Sequence, residues 1–94
     1  MQLADFEMME TTMPKGVQAI LNFGNYELSI VKNEMSYGNK SGLFEIAVFK
    51  DGDQVELPGI TNQGNTVKGF LTESEVDAII LKMHTITNRI PRQI

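Results

Sequence analysis

From Val17 onward the apolar residues first fall at alternate positions, and after Thr72 they change to the spacing of a helix. Val17, Ala19, Leu21 and Phe23 alternate with Gln18, Ile20 and Asn22, the two-residue repeat of a strand that buries one face. Val76, Ile79, Ile80 and Met83, continued by Ile86, follow the i, i+3, i+4, i+7 rule of an amphipathic helix. A chain of 94 residues buries only about 60% of its unfolded surface, enough for one sheet and one or two helices. The expected fold is α+β: an antiparallel β-meander of three to five strands packed against one C-terminal amphipathic helix.

Turn chemistry divides the chain. One domain over 1–94 is expected, with an N-terminal arm or short helix (1–16), a sheet (17–71), a helix (72–87) and a tail (88–94). Leu3, Phe6 and Met9 have the spacing of a helical turn too short to stand alone. Gly24-Asn25 and Asp51-Gly52 are hairpin signals. Tyr26–Glu34 and Gln54–Leu57 are expected as strands, and Thr66–Leu71 as either an edge strand or an extended lead into the helix. Leu43–Lys50 is nearly continuous apolar sequence, expected to be a central strand covered on both faces. Thr72 and Glu75 form a capping box, and Pro91 stops any continuation of the helix.

Composition then removes whole classes of function. There is no cysteine, so disulfides, thiolate metal sites and cysteine nucleophiles are out. A single histidine, His84, excludes any site built from two imidazoles, and no local partner equips it as a general base. Asp51 and Asp53 resemble the start of a calcium loop, but Val55 and Leu57 stand where oxygen ligands should follow. A net charge of −4 opposes binding to a phosphate backbone, so no nucleic acid is expected as partner. No apolar run is long enough for a membrane span, and Met1-Gln2-Leu3-Ala4-Asp5 lacks the features of a secretory signal, so a cytoplasmic location without membrane contact is expected. No enzyme activity, cofactor or metal is expected.

Two loops remain as candidates for recognition. Ser36-Tyr37-Gly38-Asn39-Lys40-Ser41-Gly42 offers glycine-freed N–H groups for an anion nest, a ring to stack and a cation. Lys32 on the strand feeding it, with Arg89 and Arg92 from the chain end, would supply further charge. The candidate ligand site is therefore Lys32, Ser36, Tyr37, Gly38, Asn39, Lys40, Arg89 and Arg92, for a small anionic or nucleotide-like ligand. The competing expectation is that Tyr37 packs under its own loop and the arginines are solvated. The second loop, Pro58–Thr66, is uncharged and rich in amides and hydroxyls, which suits a neutral polar partner or a plain solvated connector. Met8, Met9 and Met13 are too many for so small a monomer to bury, and a meander leaves two unpaired edges, so a homo-oligomer, most simply a dimer, is expected.

The stretch Leu28-Ser29-Ile30-Val31-Lys32-Asn33-Glu34-Met35-Ser36-Tyr37-Gly38, followed by Gly42-Leu43-Phe44-Glu45-Ile46-Ala47-Val48 and Lys68-Gly69-Phe70-Leu71-Thr72, resembles small accessory proteins of tailed bacteriophages. Lys32 stands where those proteins often carry arginine. The resemblance implies expression in a host bacterial cytoplasm and names no catalytic residue. The expected function is a non-enzymatic phage accessory protein that acts on a host component, by sequestering a nucleotide-like signal or blocking a host protein. The alternative is a structural or assembly protein of the phage particle.

Overall fold

The computed structural model describes all 94 residues. The chain is α+β, an antiparallel sheet of seven strands with one C-terminal helix packed against it. The strands are β1 (Met9–Thr12), β2 (Lys15–Phe23), β3 (Tyr26–Asn33), β4 (Phe44–Lys50), β5 (Asp53–Val55), β6 (Val67–Leu71) and β7 (Arg92–Gln93). The helix, α1, spans Glu73–Thr87. Two more strands are present than the three to five expected, yet the sheet is only five positions wide. Each outer position is shared: β1 and β7 pair with opposite halves of β2, and β6 and β5 with opposite halves of β4.

The two extra strands come from segments expected to be an arm and a tail. The N-terminal turn is a short 3₁₀ helix, Leu3–Asp5, and the chain then enters the sheet at Met9 rather than at Val17. Two anchors hold it. Leu3 is buried in the core and donates its N–H to Asp77 Oδ1 on α1 at 2.7 Å, and the Glu7 N–H donates to Gln93 Oε1 at 2.8 Å.

The core lies between one sheet face and α1. Leu21, Phe23, Leu28, Ile30, Ile46 and Val48 are buried on the sheet, opposite Val76, Ile79, Ile80 and Met83 of the helix. Register explains the match: Leu21 faces Leu28, Leu28 faces Val48 and Ile30 faces Ile46, so one pleat side of three strands is apolar. Ile86, at the end of the helical stripe, is exposed instead. The expectation that β4 is covered on both faces is wrong. Phe44, Ile46 and Val48 are buried, whereas Glu45, Ala47 and Phe49 are only half-buried, because no element packs on the second face. There Gln18, Ile20, Glu27, Ser29, Phe49 and Gly52 line a shallow depression of about 300 Å³, with the Gln18 amide donating to the Ser29 hydroxyl at 3.0 Å.

The capping box forms as its sequence requires. Thr72 Oγ1 accepts from the Glu75 N–H, and Glu75 Oε1 accepts from the Thr72 N–H at 2.9 Å. These bonds from the Thr72 backbone and side chain hold the Glu75 carboxyl below its ordinary value of 4.5. A depressed folded-state pKa contributes stability that is present above the unfolded value and lost as pH falls through the folded one. Glu75→Gln is therefore expected to flatten the decline of Tm as pH is lowered below 4.5, which acid-series thermal melts check directly.

Candidate functional site

The Ser36–Gly42 loop is ordered by its own backbone. Gly38 and Gly42 adopt left-handed conformations on either side of a 3₁₀ turn, Asn39–Ser41. The N–H groups of Asn39, Ser41, Gly42 and Leu43 all donate to carbonyls within the segment, and the Tyr37 N–H donates to Glu45 Oε1 at 2.7 Å. Ser36 Oγ is engaged with Asn33 as donor and acceptor. Of the donors expected to cradle an anion, only the Gly38 and Lys40 N–H groups are left without a partner, and a carboxylate already occupies the Tyr37 N–H that faces β4. The loop spends most of its N–H groups on itself rather than presenting them as a nest.

The cations do not converge on it either. Lys32 Nζ lies 4.6 Å over the Phe44 ring, on the helix-facing side of the sheet. Lys40 is exposed on the 3₁₀ turn. Arg89 lies over the Gly24 turn, and Arg92 pairs with Asn22 on β2. Lys32 pairs with Val17, five residues from Asn22 along the same strand, which is about 17 Å. The reason is directional: β3 carries the chain away from the Gly24 hairpin before the Tyr37 loop begins. Of the expected set, Ser36, Tyr37, Gly38, Asn39 and Lys40 stay together; Lys32 shares their end of the sheet but sits on the helix-facing side over Phe44, and Arg89 and Arg92 stand at the opposite end within one chain. His84 is half-buried, and its Nδ1 donates to the Arg89 carbonyl at 2.9 Å, which ties down the chain after the helix.

Tyr37 does not pack under its own loop. It is 61% exposed and stacks on Phe70, itself 64% exposed, with ring centroids 6.4 Å apart and planes inclined at 23°. Sequence reasoning missed Phe70 as a site residue. Its position comes from a β-bulge: Phe44 pairs with Leu71 and Ile46 with Lys68, so Gly69 and Phe70 together stand opposite Glu45. Phe70 has φ 57°, a left-handed backbone that a bulky residue adopts at a cost of about 1–2 kcal/mol. Bulges commonly re-aim a side chain, and this one turns a large ring toward solvent.

The two loops meet at this bulge. Gly69 allows it, because a Cβ there would lie 2.5 Å from the Tyr37 Cβ, and Phe70 donates its N–H to the Tyr37 carbonyl at 3.3 Å. Tyr37, Asn62, Asn65, Val67, Gly69 and Phe70 line a cleft of about 250 Å³ that contains no charged side chain. Its polar wall is braced. The Asn62 N–H donates to the Val67 carbonyl, the Asn65 N–H to the Asn62 carbonyl, and the Gly64 N–H to Glu56 Oε2. Asn65 Oδ1 accepts from the Thr66 and Val67 N–H groups, which leaves its Nδ2 free. The Pro58–Thr66 segment is thus one wall of a cleft rather than a plain connector. An isolated glycine inside a candidate strand, Gly69, was the one sequence signal that pointed to a bulge.

No family model, curated protein or solved structure matches the chain.

Proposed function

We propose that the chain is a non-enzymatic binding protein whose recognition surface is the Tyr37–Phe70 platform with its flanking amides. The observation that carries this reading is Phe70: a large exposed ring held in an unfavourable backbone conformation, which folding alone gives no reason to keep. Stacked aromatics beside hydrogen-bonding groups on a braced loop are the usual composition of a contact centre. The resemblance to phage accessory proteins supplies the setting, a host component as target in a bacterial cytoplasm.

Phe70→Gly is the informative variant. It relieves the left-handed backbone and removes a stacking pair that contributes about 0.5–1.5 kcal/mol, so stability is expected to stay within about 1 kcal/mol of the parent. Function should be lost. In phage carrying the gene, Phe70→Gly and Tyr37→Ala are expected to match a deletion on defended hosts, and Arg89→Ala to match the parent. Folded platform variants that behave as the parent on every host would sink the reading.

The virion-component reading has one observation in its favour, the uncovered sheet face with Ile20, Val31 and Phe49 half-buried on it. Co-purification with particles decides it. Self-association is proposed through the outer edge of β1, where Met9 is exposed and only one side of the strand is paired. Light scattering at micromolar concentration should give a multiple of 10.5 kDa, and a mass equal to the chain's own overturns the dimer.

A further inference from the structure

We infer that the cleft between Tyr37, Phe70 and the Asn62–Asn65 wall binds an uncharged ring with a flat stacking face and a hydrogen-bonding rim, a nucleoside base or a pyranose, and not an anion. The inference rests on the proposed recognition surface and specifies its ligand.

Four features of the cleft select this chemistry. Tyr37 and Phe70 present exposed ring faces, and a flat ring laid on such a face gains dispersion and gives up little hydration. The Asn62 side-chain amide makes no bond within the chain, so it offers a donor and an acceptor at the rim. Asn65 has its Oδ1 committed to two backbone N–H groups, so its Nδ2 is fixed in direction and free to donate. The cleft volume, about 250 Å³, accommodates one ring and little else.

Charge rules out the anion. The lining contains no cation. Lys68 lies on the helix side of β6 with Glu75 and Lys82, and Lys32 lies over Phe44. The charges committed behind its walls are carboxylates, Glu45 on the Tyr37 N–H and Glu56 on the Gly64 N–H, and both would repel a phosphate. A ligand that carries phosphate gains nothing from this wall, whereas a neutral ring meets stacking faces and amides alone.

The bracing of the loop and the strain at Phe70 prepay much of the ordering that binding requires. A single ring on so open a cleft is still expected to bind weakly, with Kd on the order of 1 mM.

The test is a titration of the full chain followed by amide resonances in two-dimensional NMR, with adenosine, methyl α-glucoside and AMP as probes. Adenosine or methyl α-glucoside is expected to shift the Gly69 and Phe70 backbone amides and the Asn62 and Asn65 side-chain NH2 groups saturably. AMP is expected to bind no more tightly than adenosine. Saturation by adenosine alone assigns a base, and by the glucoside alone a sugar. Phe70→Gly should weaken the effect by about tenfold, the exposed-site change Asn62→Ala should weaken it as well, and Lys40→Ala should leave it unchanged. Silence of those resonances with both neutral probes at about 20 mM, well above the expected Kd, overturns the inference, as does AMP binding more tightly than adenosine and depending on Lys40. If the probes are silent while Phe70→Gly still abolishes function on defended hosts, the ring ligand is wrong and the recognition surface stands. If both are silent, both fall.

Discussion

Ile80→Ala is expected to lower stability by about 2–5 kcal/mol. Ile80 is fully buried in the middle of α1, between Val76 and Met83, and faces the apolar pleat of β2, β3 and β4. Truncation removes three carbons and leaves a cavity that strands on one side and a helix on the other cannot close. A domain of this length has only about 5–15 kcal/mol in total. With Tm moving about 4–8 °C per kcal/mol, the expected fall is about 8–40 °C. Leu81→Ala is the control. Leu81 is adjacent in sequence but 56% exposed, and its loss should stay within about 0.5 kcal/mol. Urea unfolding of both variants reads the difference, and equal losses would show that the helix packs by another face.

Gly69→Ala is expected to remove the recognition surface, at a stability cost of about 1–3 kcal/mol from overpacking. The new methyl would lie 2.5 Å from the Tyr37 Cβ and 3.2 Å from the Tyr37 carbonyl oxygen. Neither atom can move alone. The Tyr37 carbonyl accepts from the Phe70 N–H, and the Tyr37 N–H is tied to Glu45. The loop must lift as a unit, and the Tyr37–Phe70 stack separates. Tyrosine fluorescence and the Phe70 amide shift should both change while the α1 resonances stay. Gly38→Ala is expected to act from the other side, because its Cβ would meet the Phe70 Cα at 2.9 Å and its φ of +90° is unfavourable for alanine. A Gly69→Ala protein that retains the stack and full function would show that the two loops are not coupled through this contact.

The expected anion site is not assembled within one chain, for two separate physical reasons. Backbone N–H groups in a glycine-rich loop are available to a ligand only if the loop does not use them, and here a 3₁₀ turn and Glu45 take most of them. Cations count together only if they reach the same end of the sheet, and Arg89 and Arg92 sit at the end of the Gly24 turn. The sequence left Tyr37 open between a stacking ring and one packed under its own loop, and the stack on Phe70 decided it. Phe70 was not, because an aromatic in an alternating strand normally points to one of two faces and only the bulge frees it from that rule.

The chain's sequence by itself determined the features written in short-range patterns. The alternation in β2, the capping box at Thr72 and Glu75, and the Gly24 and Asp51-Gly52 turns depend on residues a few positions apart, and each formed as read. The buried helix face of Val76, Ile79, Ile80 and Met83 followed from the helical period. Only the tertiary structure decided which edges the terminal segments would fill, which face of the sheet would stay open, and where the two polar loops would meet. Those outcomes depend on pairings between distant residues: Leu3 with Asp77, Glu7 with Gln93, and Tyr37 with Phe70. No local propensity encodes such a pairing. It is selected by what the rest of the fold leaves unpaired, and at Phe70 one extra residue in one strand was enough to turn a core-period aromatic into the most exposed ring of the molecule.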